Sequence, residues 1–397
     1  MTSPHVVIAG GGIGGLTAAI ILAQNGAVVK LVEQADAFTE IGAGLQQSPN
    51  AMHVHAAMGT DQAVIAAGFE PEFAALREYK TGTAALTTPL NNMCLARYGQ
   101  PYIHIHRADL QAILVQAAKE AGVSFHMGHT ANSFEQNSLF VTLKTDKDIF
   151  SGDVLIGADG IHSVLRAQMH GKTPPRFTGQ TAWRGTLPAS AVPQGLLPKA
   201  ANVWMGAGRH FVAYYLRGGD LINFVAVQER GDWVDESWTL KGGKAELRAA
   251  FDGWDACVTR LIDAVSDCHL WGLFDRAPLP FWSQGRTTLL GDAAHPMLPF
   301  MAQGAAIAME DAWVLAQQLL TATDIVDALT AYEIARSARG TKLQNISRDN
   351  AKLFHESGAF ACALRGVKLG LASKIPALQH VKLGPIYGMN VTKDYPL

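Results

Sequence analysis

The side chains that could do chemistry in this sequence are few and far apart. GDAAHPMLPFMAQGAAIAMEDA (Gly291–Ala312) sets Asp292 ahead of His295 and then runs without a charge to Glu310. Earlier, VVKLVE and DVLIGAD each carry an apolar run to an acid, Glu33 and Asp159. GGGIGG supplies Gly10-x-Gly12-x-x-Gly15. Missing side chains there permit a tight turn and let a pyrophosphate approach the N–H groups of a following helix. In RHFVAYYL, strand alternation puts His210, Val212 and Tyr214 on one face and Phe211, Ala213 and Tyr215 on the other. An imidazole beside a phenol can bind a hydroxyl or carboxylate and ease removal of a phenolic proton. The plainer alternative is a pair of sheet residues whose polar tips are satisfied locally. Arg107 stands just before a helix expected from about Ala108, where a cation opposes the dipole and implies an anionic partner.

The elements that must position these groups are legible nearby. HVVIAGGGIGGLTAAIILAQNGAVVKLVEQ has the layout of a βαβ unit: strand Val6–Ala9, glycine turn, helix Leu16–Gln24 ended by Gly26, and strand Val28–Val32. Glu33 follows about 20 residues after the turn, where a carboxylate can accept both hydroxyls of a ribose. Asp159-Gly160 closes a buried strand and reads equally well as a helix cap. A strand at Thr287–Leu290 delivers Gly291-Asp292 to a turn, and after Pro299 a helix is expected to start near Gln303–Ala305. Its first N–H groups are free to face a ligand.

Composition bounds the class. The 397 residues favour two interlocked domains, and 48% hydrophobic with 17% charged residues suits a globular protein with a large core. A net charge of −2 offers no general attraction to nucleic acid. Cys94, Cys257, Cys268 and Cys362 lack metal or disulfide spacing, which argues for free thiols in a reducing compartment. The uncharged stretch Val6–Val29 has no basic flank and is crowded with glycine, so it reads as the βαβ unit rather than a signal or membrane span. The expected location is cytoplasmic. His53 and His55, two residues apart on a probable helix, face different ways and make a poor metal pair, and no metal site is expected.

Taken together, GxGxxG, the DG block with Ser163 and Arg166, and the GD block occur in an order and spacing that resemble the single-component (class A) FAD-dependent aromatic hydroxylases. Members similar to salicylate hydroxylase and 6-hydroxynicotinate monooxygenase are the nearest in pattern. EIGAGLQQSPNA (Glu40–Ala51), HRADL, AWRG (Ala182–Gly185) and IYGMNV (Ile386–Val391) also look like blocks of that family. The resemblance implies an α/β fold. A Rossmann-like FAD-binding domain of the para-hydroxybenzoate-hydroxylase type would carry an interleaved β-sheet substrate domain and C-terminal helices. The implied boundaries are 1–75, 101–175 and 280–345 for the FAD-binding part, 76–100 and 176–279 for the substrate part, and 346–397 for the helices and tail.

By the same resemblance, Gly10, Gly12 and Gly15 hold the FAD pyrophosphate and Glu33 the adenosine ribose. Arg107 approaches the ribityl-phosphate region, Asp159 the phosphate and the nicotinamide nucleotide, and Asp292 the ribityl hydroxyls. Gln46 and Ala305 also line the cofactor. Gln46, His210, Tyr214, Pro299 and Phe300 would line the substrate, with His210 and Tyr214 catalytic. NADH or NADPH would be the co-substrate with O2. A flavin C4a-hydroperoxide would then hydroxylate a small aromatic acid, with or without decarboxylation. Relatives of this type often carry His at the position of Phe300, and one pyridine-type member resembles this pattern with His at the position of Gln46, so deprotonation here would fall to His210 or Tyr214. His295 recurs in the GD block whatever the substrate and is expected to be structural.

Two other readings use the same scaffold: an epoxidase, quinone-ring hydroxylase or halogenase, or a non-catalytic flavin-fold binding protein. The halogenase WxWxIP signature is absent, as is a second GxGxxG between strand and helix. The stretch 231–265 is expected to form a loop and amphipathic helices serving as a lid over the sheet. Residues 357–393 carry five basic and no acidic residues and are expected to close the flavin domain. No membrane span is expected, and a monomer or homodimer is.

Overall fold

A computed structural model describes residues 3–38, 43–231, 242–358, 366, 368–373 and 375–397. The apolar strand His5–Ala9 is buried because it runs in parallel between Val28–Glu33 and Val154–Gly157. Ser124–Met127 extends this sheet on one side, and Thr287–Leu289 with Ser283–Gln284 on the other, giving six strands. The helix Ile13–Gln24 packs between this sheet and the helix Gly304–Thr321. Glu33, the glycine turn, Asp159 and Asp292 therefore all follow the C-terminal ends of four neighbouring parallel strands. Ligands of open α/β sheets bind at that edge.

A second sheet has seven strands, in the order His269–Asp275, Arg176–Pro188, Leu221–Glu229, Arg209–Leu216, Ala200–Gly206, Phe73–Glu78 and Ala84–Pro89. Alternation divides its faces as expected. Phe211 and Ala213 join a core with Trp204, Phe224 and Phe251, while His210, Val212 and Tyr214 face a cavity between the two sheets. The helices Lys244–Ala250 and Ala256–Ala264 cover the Phe211 side through Leu247, Val258 and Leu261. The amphipathic helices expected as a lid thus lie over the sheet on the face away from the cavity; residues 232–241 of that stretch are outside the described residues.

The strand Phe73–Glu78 and the helix Ile325–His355 run across the expected boundaries at 75/76 and 345/346. Strand pairing and helix continuity fix these elements, and composition marks neither. The helix Pro376–Tyr387 buries Ile386 and Tyr387 beside Tyr102 and Leu343. No helix among the described residues is long and apolar enough to cross a membrane. Nor is any group of three His, Cys, Asp or Glu among them placed to hold a metal ion. His53 bonds the Tyr98 carbonyl, and His55 bonds Thr60 and Gln47.

Candidate active site

The glycine turn shows which of its residues the protein itself requires. Gly10 has φ +109°, and a Cβ there would lie 2.3 Å from the Ala158 carbonyl oxygen. A Cβ on Gly15 would lie 2.0 Å from the Gly10 carbonyl oxygen. Gly12 has an ordinary extended backbone, and its Cβ would meet nothing within 4 Å. No protein atom forbids a side chain at Gly12, so its glycine leaves room on the cavity side. A pyrophosphate approaching the helix Ile13–Gln24 would need that room. Glu33 accepts from Gly11 N at 2.6 Å and Ala35 N at 2.9 Å, which places one oxygen against the turn.

At the next strand end, Asp159 accepts from Val164 N at 2.8 Å, so the helix-cap reading holds for one oxygen. Its other oxygen, Oδ1, is buried without a protein partner. Burial raises the Asp159 pKa, with the bonds from Ser163, Leu165 and Val164 opposing. That oxygen is enclosed by protein, and the cavity is lined by the neighbours Ala158 and Gly160 rather than by Asp159. Arg166 donates to the carbonyls of Ala293 and Ile161, tying the Asp159 and Asp292 loops together.

Asp292 follows the strand Thr287–Leu289. It is exposed, but its free surface opens into the cavity. The surrounding protein still raises its pKa by desolvation, against the attraction of His295, Arg107 and Arg166. A carboxylate so placed can accept from several hydroxyls of a polyol. Arg107 is the first residue of the helix Arg107–Glu120 rather than the residue before it, and His106 caps that helix.

The chain from Asp292 to the next helix is held from behind by buried charges. His295 Nε2 lies 2.5 Å from Asp311, and Arg336 bonds Asp311 at 2.7 Å and Glu310 at 2.5 Å, all four side chains at 2% exposure or less. Arg339 and Asn50 complete Glu310. Burial opposes the charge of His295, but Asp311 outweighs it and the imidazole pKa is raised. This is the structural role expected of His295. Ala302, just ahead of the helix Gly304–Thr321, has φ +51°, a strained backbone for alanine at the rim of the cavity. Ala305 in the first turn of that helix lines the cavity with its neighbours Gly304 and Ala308.

The cavity has a volume of about 450 Å³ and runs from Gly12 and Asp292 to the second sheet. Its far wall holds Gln46, His210, Tyr214, Pro299 and Phe300 together. Gln46 accepts from the Tyr102 hydroxyl at 2.5 Å, leaving its amide N–H2 as the donor. The Phe300 ring stands edge-on to His210 with centroids 5.0 Å apart. His210 Nδ1 lies 2.6 Å from His355 Nε2, and burial, then His355, hold the His210 pKa well below the ordinary value. Burial raises the Tyr214 phenol pKa, with Arg184 opposing. Tyr214 is therefore a donor at neutral pH.

Sequence reasoning missed Tyr102, Tyr387, Arg184 and His355. Tyr387 and Arg184 sit inside the IYGMNV and AWRG blocks, which were a signal; nothing local marked Tyr102 or His355. Arg184, stacked over Trp271 at 4.7 Å, separates the main cavity from a smaller one of about 180 Å³ that shares Arg107 and Asp292.

The turn, the open space at Gly12 and the cavity-facing Asp292 fit FAD lying along this edge. Asp292→Ala is expected to weaken FAD retention about tenfold to a hundredfold, the worth of hydrogen bonds to a charged group. The flavin absorbance of the purified protein reads this out, and a fully yellow variant would contradict the role given to Asp292.

Residues 3–347 match the FAD binding domain family. The 6-hydroxynicotinate 3-monooxygenase of Pseudomonas fluorescens is 36% identical over 357 residues, 88% of this chain and 92% of that protein. The 3-hydroxybenzoate 6-hydroxylase 1 of Aquipseudomonas alcaligenes is 35% identical over 393 residues, 98% and 99% of the two chains. Among solved structures, a salicylate hydroxylase substrate complex superposes with a TM-score of 0.83 at 26% identity, covering 99% of this chain and 97% of that one. With a glycine turn, three acids at neighbouring strand ends and a walled cavity beyond them, the chain belongs to the FAD binding domain family. Within it, the chain is an FAD-dependent, single-component aromatic monooxygenase that uses NAD(P)H.

Proposed function

We propose that this monooxygenase hydroxylates a small aromatic acid that carries a ring hydroxyl, or its tautomeric equivalent, and that His210 is the base. The observation that carries the reading is the cavity wall, where one imidazole stands among neutral donors and aromatic rings. The relatives named for 6-hydroxynicotinate and 3-hydroxybenzoate support the substrate class.

Gly10, Gly12, Gly15, Glu33, Arg107, Asp159, Asp292 and Ala305 would hold FAD, which would supply the exchange of electrons with NAD(P)H and O2. The protein does the rest. Phe300, Pro299 and the valines of the sheet exclude water and fix the ring plane. The Gln46 amide and the Tyr214 hydroxyl donate to the carboxylate or ring oxygen. His210, kept neutral by burial, draws on the phenolic proton so that electron density rises on the ring. The smaller cavity beside Arg184 and Arg107 is the approach for the nicotinamide nucleotide.

The test is a panel of hydroxylated aromatic acids, including 3-hydroxybenzoate, 6-hydroxynicotinate and salicylate. At least one should accelerate NAD(P)H oxidation and yield a product heavier by one oxygen atom. If none raises oxidation above the rate without substrate, the substrate class is wrong.

A further inference from the structure

A base enclosed as His210 is cannot keep a proton. Its ring is 1% exposed, flanked by Phe300 at 5.0 Å and Phe354 at 5.2 Å, and an imidazolium there would be poorly solvated. One ring nitrogen, Nδ1, is engaged by His355, leaving Nε2 as the nitrogen available on the cavity side. His355 is the last residue of the helix Ile325–His355 and is 5% exposed. Its own Nδ1 lies 3.0 Å from Glu229 Oε1, and the Glu229 side chain is 55% exposed. The three groups thus form a line from the cavity wall to solvent.

We propose that His210, His355 and Glu229 are a proton path that carries the substrate's phenolic proton out of the cavity. This rests on His210 acting as the base. As the phenolic O–H breaks, its proton goes to His210 Nε2 and the electron pair stays on the substrate oxygen. His210 Nδ1–H passes to His355 Nε2, His355 Nδ1–H passes to Glu229, and Glu229 releases its proton to water. One proton enters and one leaves, and each imidazole ends neutral.

The anionic end sets the direction. A carboxylate can only accept, so Glu229 requires the proton of His355 on Nδ1. That leaves Nε2 of His355 as acceptor for His210 Nδ1–H, and Nε2 of His210 as the lone pair facing substrate. Gln180 Nε2 also lies 3.4 Å from His355 Nδ1, while its Oε1 is buried without a partner. Turning that amide over places an acceptor at the same N–H and leaves the tautomer unchanged. The neighbouring cations are occupied elsewhere: Arg209 bonds the Ala250 carbonyl, Arg230 pairs with Glu246 and Lys352 with Asp349. Glu356 follows His355 beyond the helix end. His355 and Glu229 are positioning and relay residues, since neither touches the substrate.

NMR of the FAD-loaded enzyme with isotope-labelled histidine tests the path without any aromatic substrate. Both His210 and His355 should carry the ring proton on Nδ1, assigned by loss of each signal in His210→Gln and His355→Gln. Glu229→Leu, which leaves only the Gln180 amide beside His355 Nδ1, should weaken that preference. A proton on Nε2 of His355 in the native enzyme overturns the proposal while leaving the hydroxylase reading intact. The second arm uses the panel acid with the highest turnover. His355→Gln and Glu229→Gln should hydroxylate about tenfold more slowly near neutral pH with little change in KM. Both should recover as pH rises toward about 10, where a phenol ionises unaided. A merely structural role would cut the rate by the same factor at every pH, and that result would also overturn the path.

Discussion

His210→Gln should lower the rate of product formation by about two to three orders of magnitude while FAD content stays at the native level. The substitution keeps a polar group of similar reach but removes the only side chain on the far wall, among the described residues, able to take a proton. Tyr214 cannot substitute, because burial keeps its phenol protonated. The Gln46 carbonyl is already occupied by Tyr102, and Phe300 offers no acceptor. NAD(P)H oxidation should fall less than oxygenated product does, since reduction of the flavin does not need the base. Product measured by mass against NAD(P)H consumed checks this. A product rate within about twofold of the native enzyme would place the base outside His210.

Arg336→Met should destabilise the holoenzyme by about 3–5 kcal/mol, the cost of breaking a buried ion pair from one side. Arg336 is fully enclosed and donates to both Asp311 and Glu310. Burial opposes its charge, but the two carboxylates raise its pKa further still. The same arginine helps lower both carboxylate pKa values against the pull of burial. Removing it leaves His295 to neutralise Asp311, and Arg339 with Asn50 to serve Glu310. The loop from Asp292 to Phe300 should loosen along with the fold, because His295 anchors it through Asp311. Denaturant titration at saturating FAD reads the loss. A change under about 1 kcal/mol would mean that the remaining partners suffice.

The two histidines of the GD stretch and the sheet show how far local reading reaches. His295 was legible as structural from its place in a recurring block, and its ion pair to Asp311 agrees. His210 was legible as cavity-facing because strand alternation has a period of two, and the sheet presents it so. His355 carries the same letter as 13 other histidines among the 14 of the chain. Only its contact with His210, 145 residues away, sets it apart. Asp292 was legible as an acid at a strand end, but not as one open to a cavity. That openness depends on a second sheet standing off from the first.

By itself the sequence determined the βαβ unit, the three acids at strand ends and the two faces of the strand Arg209–Leu216. These follow from rules acting over a few residues: glycine sterics, helix and strand periodicity, and capping. It also determined the family, through several blocks in fixed order. Tertiary structure alone decided which acids share one edge, which face of the second sheet the helices cover, and which side chains meet across the cavity. Such contacts join residues distant in sequence, and their energies come from burial and pairing that no local pattern encodes.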